Sequence, residues 1–190
     1  EKLVESDIND YIYVAALPKI NLEIIKLIKK KRIPLIIEKP VGNSCKDLQE
    51  IKKILEDYNL IIYPNLSNYF SETFEELKQI VDKNFTKIKE ITIYEGSFGP
   101  FRKDIHPIWD WGFHSVSLLY LLFSEKNFSV VNKKEVKSNN KYGRGMVTKF
   151  FFKINSNINV KIITGNLFKK KLRKLKIVLD DKNYITNDMI

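Results

Sequence analysis

The sequence predicts an α/β protein: a parallel sheet wound with helices, followed by an α+β domain on a mainly antiparallel sheet. Two observations carry this reading. Short apolar runs at Tyr11–Leu17, Leu35–Ile37 and Leu60–Tyr63 alternate with amphipathic segments at Asn21–Lys31 and Ser44–Tyr58, the grammar of strand–helix–strand units. From Asn127 onward, strand-like runs follow one another without a helix between them, as antiparallel sheets require.

In the first region, Pro34-Leu35-Ile36-Ile37 is apolar on every residue, as suits a parallel strand buried on both faces, and charge arrives only at Glu38-Lys39-Pro40. Pro18 ends the first strand, and Leu22, Ile25, Leu27 and Ile28 then fall on helical spacing. Ser44 reads as an N-cap, with Asp47 favourable to the dipole of the next helix. After Pro64 the pattern changes. Phe74, Leu77, Ile80 and Val81 predict a helix over Glu72–Val81, Ile88–Glu95 alternates like a strand, and Gly96–His106 reads as a loop. A helix is expected from Trp111 to about Phe123. Strands are expected at Phe128–Val136, Met146–Ile154, Asn159–Thr164 and Leu175–Leu179. The boundary falls near Asn65–Phe70, giving domains 1–66 and 67–190.

Composition narrows the function. The chain has 190 residues, 44% hydrophobic and 29% charged, with no apolar run near the length that spans a bilayer. The opening Glu1–Asp7 has neither part of a signal peptide, and Cys45 is the lone cysteine, so a cytoplasmic protein without a membrane partner is expected. The net charge is +10, spread through a lysine-rich chain. Its one cluster, Lys169–Lys176, partly alternates with Leu172, Leu175 and Ile177, as a strand with one wet face would. No aromatic stacking platform accompanies it, so no nucleic-acid partner is expected. Two histidines and one cysteine offer no metal-ligand spacing. Among the seven glycines only Gly143-Arg144-Gly145 opens like a nucleotide fingerprint, and its late position reads as a turn.

Two elements could carry chemistry. Leu17-Pro18, Glu38-Lys39-Pro40 and Pro64-Asn65 each follow a parallel strand, so they belong to one sheet edge, where α/β sheets bind ligands. A lysine there can stabilise an alkoxide or hold a hydroxyl; a surface lysine is the plainer reading. In Trp109-Asp110-Trp111-Gly112-Phe113-His114 the acid and the imidazole lie one helical turn apart. That spacing suits either a general base with its carboxylate or a helix N-terminus capped by Asp110. His106 has no evident partner in the sequence. A cleft between the two domains is the expected home of the site.

Together, Tyr13-Val14-Ala15-Ala16-Leu17-Pro18, Ile36-Ile37-Glu38-Lys39-Pro40 and Trp109-Asp110-Trp111-Gly112-Phe113-His114 resemble the Gfo/Idh/MocA oxidoreductases, the glucose–fructose oxidoreductase and inositol dehydrogenase group. The resemblance covers essentially the whole chain and is specific over residues 11–70 and 96–123. It implies a Rossmann domain, only part of which is present here, and a second domain with a large open sheet. It implies NAD or NADP as cofactor, touched by Leu17, Pro18, Glu38, Lys39 and Pro40. The implied catalytic residues are Lys39, Asp110 and His114, with His114 as proton acceptor. The implied substrate is a sugar, a polyol or a nucleotide sugar, met by Lys39, Asn65, Tyr69, Arg102, Trp109 and His114. A homo-oligomer through the open sheet is also implied. Three positions depart from the family pattern: Asn21 where a histidine is frequent, Tyr69 where an arginine is common, and Ser115 where an acid often follows the motif histidine. The family's glycine-rich loop would lie upstream of Glu1, so the expectation is that these residues alone bind the dinucleotide poorly and turn over little. The alternative reading is a non-catalytic sugar-binding or interaction module.

Overall fold

A computed structural model describes residues 10–123, 126–140, 143–180 and 183–188; the opening Glu1–Asp7 lies outside them. The chain divides into two compact units, residues 1–67 and 68–190.

The first unit is a parallel sheet of three strands, β1 (Ile12–Val14), β2 (Leu35–Ile37) and β3 (Ile62–Pro64), in the order β1-β2-β3. Helices α1 (Pro18–Ile28) and α2 (Cys45–Tyr58) connect them. β1 is shorter than expected and α1 begins three residues earlier than Asn21, because Pro18 occupies the first helical turn. Proline is favoured there, since its fixed φ fits the helix and its missing N–H would be unpaired anyway. Ile25 and Ile28 are buried against Val14, Leu35 and Ile37, while Leu27 is 63% exposed and so is not part of the apolar stripe. Ser44 caps α2, its hydroxyl accepting from the Asp47 amide at 3.1 Å, and Asn59 ends it in the left-handed region.

The second unit is a six-stranded sheet in the order β5-β6-β7-β4-β8-β9. Its strands are β4 (Ile88–Phe98), β5 (Phe128–Asn140), β6 (Gly143–Ile154), β7 (Ile158–Gly165), β8 (Leu167–Leu179) and β9 (Tyr184–Asp188). Every pairing is antiparallel except β4 with β7. Helices α3 (Glu72–Asn84) and α4 (Pro107–Phe123) supply Phe74, Leu77, Val81, Leu118, Leu119 and Leu122 to a core shared with Ile91, Ile93, Ile162, Leu175 and Ile177. On the opposite face Thr92, Tyr94, Lys161 and Ile163 stay partly exposed.

Several expectations change here. Ile80 is 42% exposed rather than on the core side of α3. α4 starts at Pro107, not Trp111, again with proline in the first turn. Gly143-Arg144-Gly145 is the start of strand β6, not a turn. β8 begins at Leu167, eight residues early, and β9 was not expected at all. The lysine cluster does lie on β8, but its alternation differs from the expected one. Leu175 and Ile177 are buried, and the covered register continues to Arg173 rather than Leu172. Among the described residues, no helix is long and apolar enough to cross a membrane.

Candidate active site

In the first unit the three strand ends are tied to one another. The Glu38 amide donates to the Val14 carbonyl at 2.9 Å, and the Asn65 amide donates to the Ile37 carbonyl at 2.8 Å. This brings Leu17, Pro18, Glu38, Lys39, Pro40 and Asn65 to the carboxyl edge of one sheet. There the side chains of Tyr13 and Asn65 converge on Glu38. The Tyr13 hydroxyl donates to its carboxylate, and the Asn65 amide donates to the same oxygen at 2.6 Å. Tyr13 first, then Asn65, hold the Glu38 carboxyl below its ordinary value, against partial burial that pulls it up. Behind the turn, Asn21 is fully buried and its amide donates to the Val41 carbonyl at 3.1 Å. Lys39 is half-buried beside a buried Pro40, with a cis bond between them. The sequence reading missed Tyr13 and had no role for the Asn21 amide. An aromatic in an otherwise aliphatic strand was the available signal for the first.

In the second unit α4 carries Trp109, Asp110 and His114. His106 caps this helix: its Nδ1 accepts from the Ile108 amide at 3.3 Å and its carbonyl from the Trp109 amide at 2.9 Å. Burial first, then Arg144, hold the His106 imidazole below its ordinary value. With the helix begun at Pro107, Asp110 lies in its first turn and is not the cap residue. Its carboxylate is 3.8 Å from Arg102 Nε. The Tyr69 hydroxyl donates to the His114 carbonyl at 2.7 Å, and burial raises its phenol above the ordinary value, with Glu95 adding and Arg173 opposing. Glu95, 3% exposed, is paired with Arg173 at 2.8 Å, and sequence reasoning missed the pair. Among the described residues, Trp111 Nε1, Ser115 Oγ and Thr164 Oγ1 are buried and meet no hydrogen-bond partner. Gly112 turns toward β7, with room for a methyl group 3.5 Å from Thr164 Cγ2.

The strand edge of the first unit carries Glu38, Lys39 and Asn65 together. No Gly-x-Gly-x-x-Gly turn for a pyrophosphate occurs among the 190 residues. Among the described residues, no three His, Cys, Asp or Glu side chains gather as a metal site.

Solved structures similar to this one include oxidoreductases and dehydrogenases. An oxidoreductase from Magnetospirillum magnetotacticum matches with a TM-score of 0.81 at 18% identity, over 98% of this chain and 60% of its own. Scyllo-inositol dehydrogenase from Lactobacillus casei, solved with NAD(H) and scyllo-inositol, matches with a TM-score of 0.75 at 13% identity, over 98% of this chain and 59% of its own. The chain has the fold of the Gfo/Idh/MocA-type dehydrogenases. UDP-N-acetylglucosamine 3-dehydrogenase from Acidithiobacillus ferrooxidans shares this Gfo/Idh/MocA fold, with a TM-score of 0.73 at 15% identity, over 95% of this chain and 57% of its own. The chain thus spans 57–60% of the length of these three proteins. No family model matches the sequence, and no curated protein does.

Proposed function

We propose that the chain is the part of an NAD(P)-dependent oxidoreductase that presents a sugar or polyol hydroxyl for oxidation. The observation that carries the reading is the Glu38-Lys39-Pro40 turn at the carboxyl edge of a parallel sheet, with Glu38 held ionised by Tyr13 and Asn65. The dehydrogenase fold of the neighbours supports it.

The nicotinamide, when bound, supplies the hydride chemistry, and the chain supplies contacts and the proton path. Leu17, Pro18, Glu38 and Pro40 would touch the cofactor from the strand ends. Lys39 donates to the substrate hydroxyl oxygen and stabilises negative charge as it develops. His114 takes the hydroxyl proton as the carbon–hydrogen bond breaks, leaving a carbonyl, and Asp110 orients the imidazole. Asn65, Arg102 and Trp109 are the further substrate contacts. Tyr69 acts through the His114 carbonyl, where its hydroxyl is already engaged.

The test is turnover of inositols, hexoses and nucleotide sugars with NAD and with NADP, followed by nicotinamide absorbance, in the protein carrying a glycine-rich loop. Lys39→Met and His114→Ala should each lower kcat by about 10²–10⁴-fold, the usual worth of an acid–base group. Cofactor binding with no turnover of any of these substrates would reject the reading in favour of a binding module, and full activity in both variants would reject Lys39 and His114 as the acid–base groups.

A further inference from the structure

Asn166, one residue past β7, is 1% exposed and uses all of its hydrogen-bonding groups. Its amide nitrogen donates to the Met146 carbonyl at 2.9 Å, and its carbonyl accepts from the Gly99 amide at 2.9 Å. Its side-chain oxygen accepts from the Met146 amide at 2.8 Å. Its side-chain nitrogen donates to the Pro100 carbonyl at 3.0 Å and to the Arg144 carbonyl at 2.9 Å. One buried side chain therefore fastens the Gly99–Arg102 turn to the start of β6.

The surrounding glycines make the close approach possible. Gly165 has φ +148°, and a Cβ there would lie 2.0 Å from the Met146 carbonyl oxygen. A Cβ on Gly143 would lie 2.7 Å from the Phe101 carbonyl oxygen, so the start of β6 packs directly against the same turn. The turn carries Arg102, whose Nε is 3.8 Å from Asp110 Oδ2. The Arg102 side chain is 45% exposed and that of Asp110 14% exposed. An exposed arginine gains little from one ion pair and loses side-chain freedom to form it. The pair therefore depends on a backbone fixed beforehand.

We propose that Asn166 is a positioning residue: by holding the Gly99–Arg102 turn it sets Arg102 against Asp110, one helical turn before His114. The chemical fit is narrow. Aspartate at this position has no protons for the two carbonyls, serine has one, and glutamine is a methylene longer. The significance for catalysis rests on the reading of Asp110 and His114 given above. The geometry does not.

The experiment is NMR on the 190-residue chain, which needs no turnover. The four arginines give four Nε–H signals, and Arg102→Lys identifies that of Arg102. In the unsubstituted chain this signal should shift on Asp110→Asn. In Asn166→Asp it should no longer respond to Asp110→Asn, and the Gly99 amide should exchange about tenfold faster or more, as a locally released group does. The unsubstituted chain gives an answer even where that variant does not fold. There, the Gly99 amide and the Asn166 side-chain amide must exchange slowly, and exchange at the rate of an open loop would overturn the proposal. The link to His114 is read from its imidazole titration, assigned with His106→Gln. The midpoint should rise in both Asn166→Asp and Arg102→Gln, since both take a cation away from Asp110. A midpoint unmoved in both, with the Arg102 signal released, would leave the turn a structural device and overturn the positioning role. Absence of dehydrogenase activity in the protein carrying a glycine-rich loop, by contrast, would reject the proposed function and leave these readouts standing.

Discussion

The buried pair Glu95–Arg173 makes a demanding prediction about what holds the second unit together. The two residues are cross-strand partners on β4 and β8, with Nε and Oε1 2.8 Å apart. Glu95 lies in register with Ile91 and Ile93 on the covered face of the sheet, where a carboxylate is tolerated only with its partner. Arg173→Met keeps most of the side-chain volume and removes the charge. Breaking a buried pair from one side costs about 3–5 kcal/mol. The Arg173 side chain keeps 18% of its exposure, so water relieves part of the loss and about 3 kcal/mol is expected. For a chain of this size that is a fall of about 6–12 °C in Tm. The double variant Glu95→Leu with Arg173→Met, which leaves no orphaned charge, should return to within about 1 kcal/mol of the parent or exceed it. Urea unfolding followed by tryptophan fluorescence is the assay. Both tryptophans, Trp109 and Trp111, sit on α4, so the signal reports this unit alone. A loss below about 1 kcal/mol for Arg173→Met, or a double variant as unstable as the single, would refute the reasoning.

Two further predictions concern α4 and its surroundings. His106 caps α4 through an unprotonated Nδ1, and its pKa is held below the ordinary histidine value, so its contribution is fully present above about pH 6.5. That contribution should be lost as pH falls through the lowered folded value, because the unfolded chain then binds the extra proton first. A stability–pH series of the parent against His106→Gln should converge toward acid pH, and parallel curves would refute it. Gly112→Ala should be tolerated or stabilise α4 by up to about 1 kcal/mol, since the new methyl meets Ile108 and Thr164 only at an ordinary 3.5 Å. Gly165→Ala should instead prevent normal folding, with φ +148° and the Met146 carbonyl oxygen 2.0 Å from the new carbon. Circular dichroism and thermal melts of the two variants decide both halves, and a destabilised Gly112→Ala or an undisturbed Gly165→Ala would count against them.

The parts of this molecule that the sequence made legible are those whose physics is local. Leu35–Ile37 is apolar because a central parallel strand is covered, and the charge at Glu38 marks where the covering stops. Ser44 could be read as a cap because its hydroxyl acts three residues away. Proline shifts two boundaries for one reason: the sequence pattern starts the helices at Asn21 and Trp111, whereas Pro18 and Pro107 begin them. His106 was passed over because an imidazole capping a helix leaves no spacing signature beyond that same proline.

The candidate site was legible as residue types and illegible as partnerships. Asn65 was placed at the ligand edge from its position after β3, yet its amide serves Glu38 together with Tyr13, which lies 52 residues earlier in the chain. Asn166 carried no local signal, since its partners Pro100 and Arg144 come from separate loops and strands. Glu95 did carry one. An acid on the parity of Ile91 and Ile93 sits in a buried register, and a buried carboxylate demands an opposite charge. The demand can be read from β4 alone, but its answer cannot. Among 33 basic residues the partner is chosen by the pairing of β4 with β8, and Arg173 meets Glu95 only because Ile93 meets Leu175 and Ile91 meets Ile177. The apolar rows set the register, and the register then selects the ion pair.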